Sequence, residues 1–443
     1  TKASKTATAA LQQAGSQVVL FKLPENKETL LPDWDALPRY YETILTMMEN
    51  GEILSASVVK EGGVAAAVAK MAFGNKIGVS FDRNMEDAKA LFAPISGSIV
   101  AELRPGTAFP KEAVAVGVTV EEPVMVLGGA SMNIDDLIAV WSGKLEKIFP
   151  SFAPEVEVEK DVPLFTERYT GSPVIKTAKP KVFIPVFPGT NCEYDTARAF
   201  EKAGADPHVL VVRNLTADAI EETIVAMEKA IRESQIIMLP GGFSGGDEPD
   251  GSGKFIATTF RNPRIAQAVT DLLEARDGLM LGICNGFQAL IKLGLVPFGK
   301  ITEPSEDAPT LTFNTLGRHV SCMVYTRVTS VKSPWFAGVN AGDVFAIPVS
   351  HGEGRFVANN EYLEKLIAKG QVATQYVTPC GKPSGSIEWN PNGSVCAIEG
   401  ITSPDGRVLG KMGHSERKGD NLYDNVPGEK DQKLFESGVA YFK

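Results

Sequence analysis

The chain has 443 residues, 44% of them hydrophobic and 22% charged, and its 44 basic against 54 acidic side chains give a formal net charge of −10. That length is too great for one ordinary core and points to two domains, while the negative balance argues against a nucleic-acid or anionic-membrane surface. No apolar run approaches the roughly 18 residues of a membrane span, and five scattered cysteines without a C-x-x-C pair suggest a reducing compartment, the cytoplasm by default.

The opening Thr1-Lys2-Ala3-Ser4 lacks an initiator Met and a signal-peptide core, so it reads as a cut inside a longer polypeptide, with a helix expected over residues 6–15. Residues 1–150 are expected to form one α/β unit. Helices are predicted over residues 40–49, 64–73 and 134–148, the second opened by Gly62 and Gly63. Strands are predicted over 53–59, 77–81, 98–103 and 115–120. Residues 151–180, rich in Pro, Thr and Lys, read as a linker.

From residue 181 strand and helix alternate closely. Residues 182–187 are a continuous apolar run, as a strand buried on both faces requires. A loop leads into a helix that stops at Gly204, and a strand is expected over 209–212. Thr216 suits the N-cap of a helix with Ile220, Ile224, Met227 and Ile231 on one face. Further strands at 236–239 and 279–283 bracket a helix at 262–276. Repeated βα units predict a doubly wound parallel sheet. After Pro309, β-rich runs at 311–313, 320–328, 344–349, 372–377 and 408–412 are expected to complete the same domain, 181–443.

Gly282-Ile-Cys-Asn-Gly-Phe-Gln288 is the most informative stretch. An apolar strand runs into Cys284 and a helical pattern starts at once, with glycines where a tight corner admits only small residues. Such a corner holds a nucleophile at the C-terminal edge of the sheet, where helix amides favour the thiolate. An inert core cysteine is the bland alternative. A thiolate nucleophile needs a histidine with an orienting group. Of the four histidines, His208 and His319 suit structural roles, while His351-Gly-Glu353 and His414-Ser-Glu416 both pair an imidazole with a carboxylate two residues on. The second pair follows directly on a predicted strand; the first reads as a flexible loop between glycines. Pro240-Gly-Gly-Phe-Ser-Gly-Gly-Asp247 exposes backbone N–H groups after a buried strand, without the Gly-Lys-Ser/Thr ending of a phosphate loop.

These segments, with Phe187-Pro-Gly-Thr-Asn-Cys192 and His351-Gly-Glu-Gly-Arg355, resemble the class I glutamine amidotransferases, and within them the phosphoribosylformylglycinamidine synthase family. The resemblance implies a flavodoxin-like glutaminase over residues 181–443. Glu61-Gly-Gly-Val64 and the helix after it resemble the C-terminal α/β part of the second synthetase repeat of the large single-chain form, so the chain would be that form's C-terminal third. It implies Cys284 as nucleophile, His414 as proton carrier and Glu416 as its orienter. Oxyanion donors would be the amides of Gly242 or Phe243 and of Asn285; Gln288 and Asn314 would touch glutamine's amino-acid end; His351 and Arg355 would lie near the mouth or the ammonia path. Cys192 is expected to be structural. The family's Met-Pro-His-Pro-Glu is Met412-Gly-His-Ser-Glu416 here, with both prolines gone. No cofactor is implied for the glutaminase, whereas ATP and Mg would serve upstream synthetase domains, the expected partner, with glutamine as substrate. A PfpI-type cysteine hydrolase would place His where Asn285 stands; a docking fragment with an idle cysteine, or a carbamoyl-phosphate type ligase, are the other readings.

Overall fold

The computed structural model describes residues 6–158, 162–245 and 253–443, so the reading of Thr1 to Ser4 and the end of the glycine loop, Gly246 and Asp247, lie outside the described residues. Two compact units emerge, Thr1–Ile148 and Phe149–Lys443.

The first unit is built on strands β1 (Gln17–Phe21), β2 (Ile53–Val58), β3 (Gly78–Phe81), β4 (Ile99–Leu103), β5 (Ala113–Val120), β6 (Val124–Leu127) and β7 (Ala130–Asn133), in the order β2-β4-β1-β5-β3-β6-β7. All neighbours are antiparallel except β3 and β6. Helices α1 (Leu37–Glu49), α2 (Gly63–Asn75), α3 (Ala88–Phe92) and α4 (Ile134–Gly143) complete it. Val64, Val68 and Met71 of α2 enter one core with Val18, Leu20 and Val116, while Ile44 and Met47 of α1 enter a second with Val19, Phe21 and Ala101. The helix expected over 6–15 is absent. That segment instead bridges Ser55 through Thr8, and the buried Glu102 carboxylate takes the N–H groups of Gln12 (2.8 Å) and Gln13 (3.2 Å) and the Ser55 hydroxyl (2.7 Å). A carboxylate that binds backbone amides competes with the helix ladder and wins here.

The second unit has one sheet of nine strands. Its parallel half runs β9 (Asp206–Val211), β8 (Lys181–Val186), β10 (Ile236–Leu239), β11 (Leu279–Ile283) and β18 (Val408–Lys411). In chain order this is 2-1-3-4-5, the flavodoxin-like arrangement. The other half, β17 (Ile398–Thr402), β16 (Val372–Val377), β13 (Val320–Val328) and β14 (Val344–His351), continues antiparallel from β18. A small ladder of β12 (Thr310–Thr312) with β15 (Arg355–Val357) stands apart. Between the strands come α5 (Glu193–Ala203), α6 (Ala217–Glu233), α7 (Lys254–Phe260), α8 (Pro263–Thr270), α9 (Asn285–Leu293), α10 (Leu295–Phe298), α11 (Asn360–Ala368) and α12 (Leu434–Ala440). Thr216 caps α6 through the Ala219 N–H. The helix expected over 262–276 ends as α8 at Thr270 and passes into a π-helical turn, Asp271–Ala275.

The described residues of the stretch 149–180 are packed rather than free. Val162 joins the core of the second unit. Phe165 exchanges backbone bonds with Thr329 (2.9 Å) and Val331 (3.1 Å). The Arg168 guanidinium donates to the carbonyls of Ala337 (3.1 Å) and Val339 (2.8 Å) and to Asn340 Oδ1 (3.0 Å). No helix among the described residues is long and apolar enough to cross a membrane.

Candidate active site

Three adjacent parallel strands end together and supply the site. Register pairs Leu239 of β10 with Gly282 of β11, and Ile283 of β11 with Lys411 of β18. Cys284 therefore leaves its strand beside the Pro240–Gly241 loop on one side and the Met412–His414 turn on the other. Cys284 itself has φ 53° and ψ −106°, a left-handed backbone that costs energy for a residue with a Cβ. Its N–H binds Lys411 O at 2.8 Å and its carbonyl starts α9. A Cβ on Gly286 would sit 1.9 Å from Leu239 O, so the corner after the nucleophile closes only on glycine.

His414 and Glu416 are buried together, with Nδ1 2.6 Å from Glu416 Oε1. Burial opposes charge on the imidazole, but the carboxylate, with Cys192 and Cys284 as hydrogen-bonding neighbours, raises its pKa well above the ordinary value. Burial likewise raises the Glu416 pKa, yet the imidazolium outweighs it and holds the group below its usual range. The two shifts have one cause seen from both sides. Nε2 is buried and makes no hydrogen bond of ordinary geometry. The Cys284 thiol points to Ser350 O at 3.5 Å.

His351 is placed differently. It is not a loop residue but the last of β14, paired with Val320, because the β13–β14 ladder runs to its end. Burial, and then the nearby His414 and His319, push its pKa down to about 3, so it is neutral. Glu353 is buried too, but the carboxylate that bonds an imidazole is Glu416. Asn314 is fully engaged. Its amide donates to His351 O (2.8 Å) and Arg318 O (3.1 Å), and its Oδ1 accepts the Gly354 N–H (3.2 Å) and faces His351 Nδ1 (3.3 Å). The structure thus makes Asn314 a brace of the 351–354 turn rather than a free contact for ligand. Gln288 accepts from Asn285 Nδ2 (2.8 Å) and donates to Glu353 O (2.5 Å). Arg355 sits in β15 with its Nε on Gly393 O at 3.3 Å.

Among the expected oxyanion donors, the Phe243 N–H is spent on Gly189 O at 2.8 Å and drops out. Asn285 N–H opens α9, where the first amides of a helix lack intrahelical partners. The Gly242 N–H makes no backbone bond among the described residues. Of the expected donors, the Gly242 and Asn285 amides therefore remain. The Phe187–Cys192 and Pro240–Gly245 loops are zipped together, Gly245 N–H to Pro188 O (2.9 Å) and Asn191 and Cys192 N–H to Gly241 O (both 3.3 Å). Gly241 is required, since a Cβ there would meet His414 Cε1 at 2.7 Å.

Cys192 is more than filler. Its sulfur lies 3.8 Å from His414 Nδ1 and accepts from Arg417 Nη2 at 3.1 Å. Cys192, His414 and Glu416 bring donor atoms within 4.8 Å of one another. The guanidinium on the sulfur and the short His414–Glu416 bond already occupy those donors, so the cluster fits a tuned imidazole better than a cation. Sequence reasoning missed Arg417, and also Glu399 and Lys411, a buried ion pair under the His414 turn. The signal was a charged residue inside an otherwise apolar strand. A cleft of about 750 Å³ opens on the Glu416 side, between α5 and residues 416–436, and does not reach Cys284, which is only 4% exposed.

The family described as the CobB/CobQ-like glutamine amidotransferase domain matches residues 179–442. Phosphoribosylformylglycinamidine synthase subunit PurQ of Methanococcus maripaludis is 35% identical over 239 residues, covering 54% of this chain and 82% of the relative. The PurQ subunit of Aquifex aeolicus is 33% identical over 250 residues, covering 56% of this chain and 95% of the relative. A chain in the structure of PurLQS from Thermotoga maritima is similar over 60% of this chain and 100% of its own, with 28% identity and a TM-score of 0.42.

Proposed function

The chain belongs to the PurQ family of glutamine amidotransferases, and on that premise we propose that Cys284 is the nucleophile with which it hydrolyses glutamine. It is the glutamine-hydrolysing part of phosphoribosylformylglycinamidine synthase, an enzyme of purine biosynthesis. The observation that carries the residue assignment is the register of β10, β11 and β18, which delivers Cys284, His414 and the Gly241–Gly242 amides to one sheet edge. The Cys284 thiolate adds to the side-chain amide carbon of glutamine. The N–H groups of Gly242 and Asn285 receive the developing oxyanion. His414 Nε2, which makes no hydrogen bond of ordinary geometry, gives its proton to the departing nitrogen, so that ammonia leaves and a glutamyl thioester remains. The same nitrogen then takes a proton from water as it attacks the thioester, and collapse releases glutamate and restores the Cys284 thiolate beside the charged ring. Glu416 fixes Nδ1 and stabilises the charged ring before the first transfer and after the second, while between them the ring is neutral and free to act as the base. In this reading Gln288 would touch glutamine's amino-acid end, and His351 and Arg355 would lie near the mouth or the ammonia path.

We further infer that the chain comes from the large single-chain form, with residues 1–148 the end of its second synthetase repeat and an ATP- and Mg-dependent synthetase as destination for the ammonia. The glutaminase itself works without a cofactor, and the cytoplasm is the expected site. Mass mapping of 6-diazo-5-oxo-norleucine adducts tests the assignment. A label on Cys284 that excess glutamine blocks is expected; a label on Cys192 instead would overturn it.

A further inference from the structure

The turn that carries His414 has Gly413 and Ser415 where the resembling family has proline, yet it is not loose. Lys411 Nζ lies 3.2 Å from Glu399 Oε1, and both side chains are wholly shielded from solvent. Glu399 Oε1 accepts the Gly413 N–H at 2.5 Å. Lys411 Nζ donates to the Gly413 carbonyl at 2.8 Å and to Ser415 Oγ at 3.0 Å. The Ser415 hydroxyl donates in turn to Gln432 Oε1 at 2.7 Å, and Gln432 Nε2 to Thr326 Oγ1 at 3.1 Å. Thr374 Oγ1 donates to the other Glu399 oxygen. One ion pair thus grips the N–H and C=O of the residue before His414 and the side chain of the residue after it.

We infer that Glu399 and Lys411 are positioning residues for His414, an ionic clamp that fixes the turn a proline pair would otherwise stiffen. The inference rests on the reading of His414 as the proton carrier. Desolvating two charges consumes most of what their attraction returns, and an apolar pair of similar volume is often as stable. Stability alone therefore gives no reason for the pair, whereas fixing an imidazole does. The clamp and a proline also exclude one another. A proline has no N–H for Glu399. A Cβ at position 413 would come within 2.9 Å of Glu399 Oε1 and of Lys411 Nζ, besides 2.8 Å from Ile347 Cγ2 at the tip of its side chain.

This exclusion gives the test. In the full chain, the rate of Cys284 labelling by 6-diazo-5-oxo-norleucine is followed by mass against pH, with glutamine protection as a measure of affinity. Lys411→Met and Glu399→Gln should each slow labelling about tenfold and move its pH profile, with half-protection by glutamine unchanged, because a misplaced reacting group costs rate before affinity. Gly413→Pro alone should be at least as damaging. Joined in one chain, Lys411→Met, Glu399→Gln and Gly413→Pro should return the rate to within about threefold of wild type, a coupling that independent losses do not show. Losses that simply multiply in a folded triple variant, judged by circular dichroism, would overturn the clamp. Should the triple variant not fold, Ser415→Ala decides: the expected result is slower labelling and a moved profile, and wild-type values for both would overturn it. A wild type that stays unlabelled even with the synthetase domains supplied would instead bring down the glutaminase reading, and the clamp's role with it.

Discussion

At the residue scale the site is a problem of where one proton sits. Burial lowers the His414 pKa, but the Glu416 carboxylate together with the Cys192 and Cys284 sulfurs raises it well above its ordinary value, while burial pushes the neighbouring His351 down to about 3 and leaves it neutral. Two neighbouring buried histidines thus differ, one charged and one neutral, and only the one bonded to a carboxylate can serve as an acid at neutral pH. His414→Ala should lower glutamine turnover by about 100-fold or more. His351→Ala should cost far less, and the reverse order in steady-state kinetics would show that the wrong imidazole was chosen. Glu416→Gln removes the group that keeps the imidazole charged, so the alkaline limb of kcat/KM should move to lower pH. Stability follows the same signs. The His414 contribution, from a raised pKa, is complete below its ordinary 6.5 and is lost as pH rises through the folded value. The Glu416 contribution, from a lowered pKa, is complete above its ordinary 4.5 and is lost as pH falls through the folded value. Wild type should therefore gain most over Glu416→Gln between these two, as thermal melts across pH would show.

At the element scale the strand-to-helix corner is the part most exposed to mutation. Gly286→Ala would drive a methyl group into the Leu239 carbonyl. About 3 kcal/mol of destabilisation is expected for overpacking of this kind, read as a lower urea midpoint at unchanged slope. This corner was also the most legible feature in the sequence, because strand, nucleophile and helix are contiguous and the constraint on Gly282 and Gly286 is local. The choice between the two His-x-Glu pairs was harder. It depends on Ile283 of β11 meeting Lys411 of β18, which nothing local encodes. Glycines at 352 and 354 suggested a loose loop, but the β13–β14 ladder holds His351 to its last residue. The amide of Phe243 looked as available as that of Gly242 until a second loop, at Gly189, claimed it. The segment 6–15 looked helical by composition, and the buried Glu102 that draws it out of a helix lies about 90 residues away.

At the scale of the whole molecule the nucleophile is shut in. Cys284 is 4% exposed, and the large cleft beside Glu416 does not lead to it. Glutamine needs an opened site, and in enzymes of this kind a loop or domain motion commonly supplies one. Glutamate release by this chain alone should accordingly be slow, and supplying the synthetase domains should raise it by at least about tenfold, in line with such gating. Equal rates with and without them would show that the closed state does not gate the reaction. The residues matched by the amidotransferase family begin at 179, but the compact unit begins at Phe149. An enzyme trimmed to the matched stretch would lose Val162 from its interior, the Phe165 backbone pairs and the Arg168 bonds to residues 337–340. With these contacts gone, it should melt at least about 5 °C lower, since each lost kcal/mol is worth a few degrees in a domain of this size, and its bared seam would invite aggregation during purification.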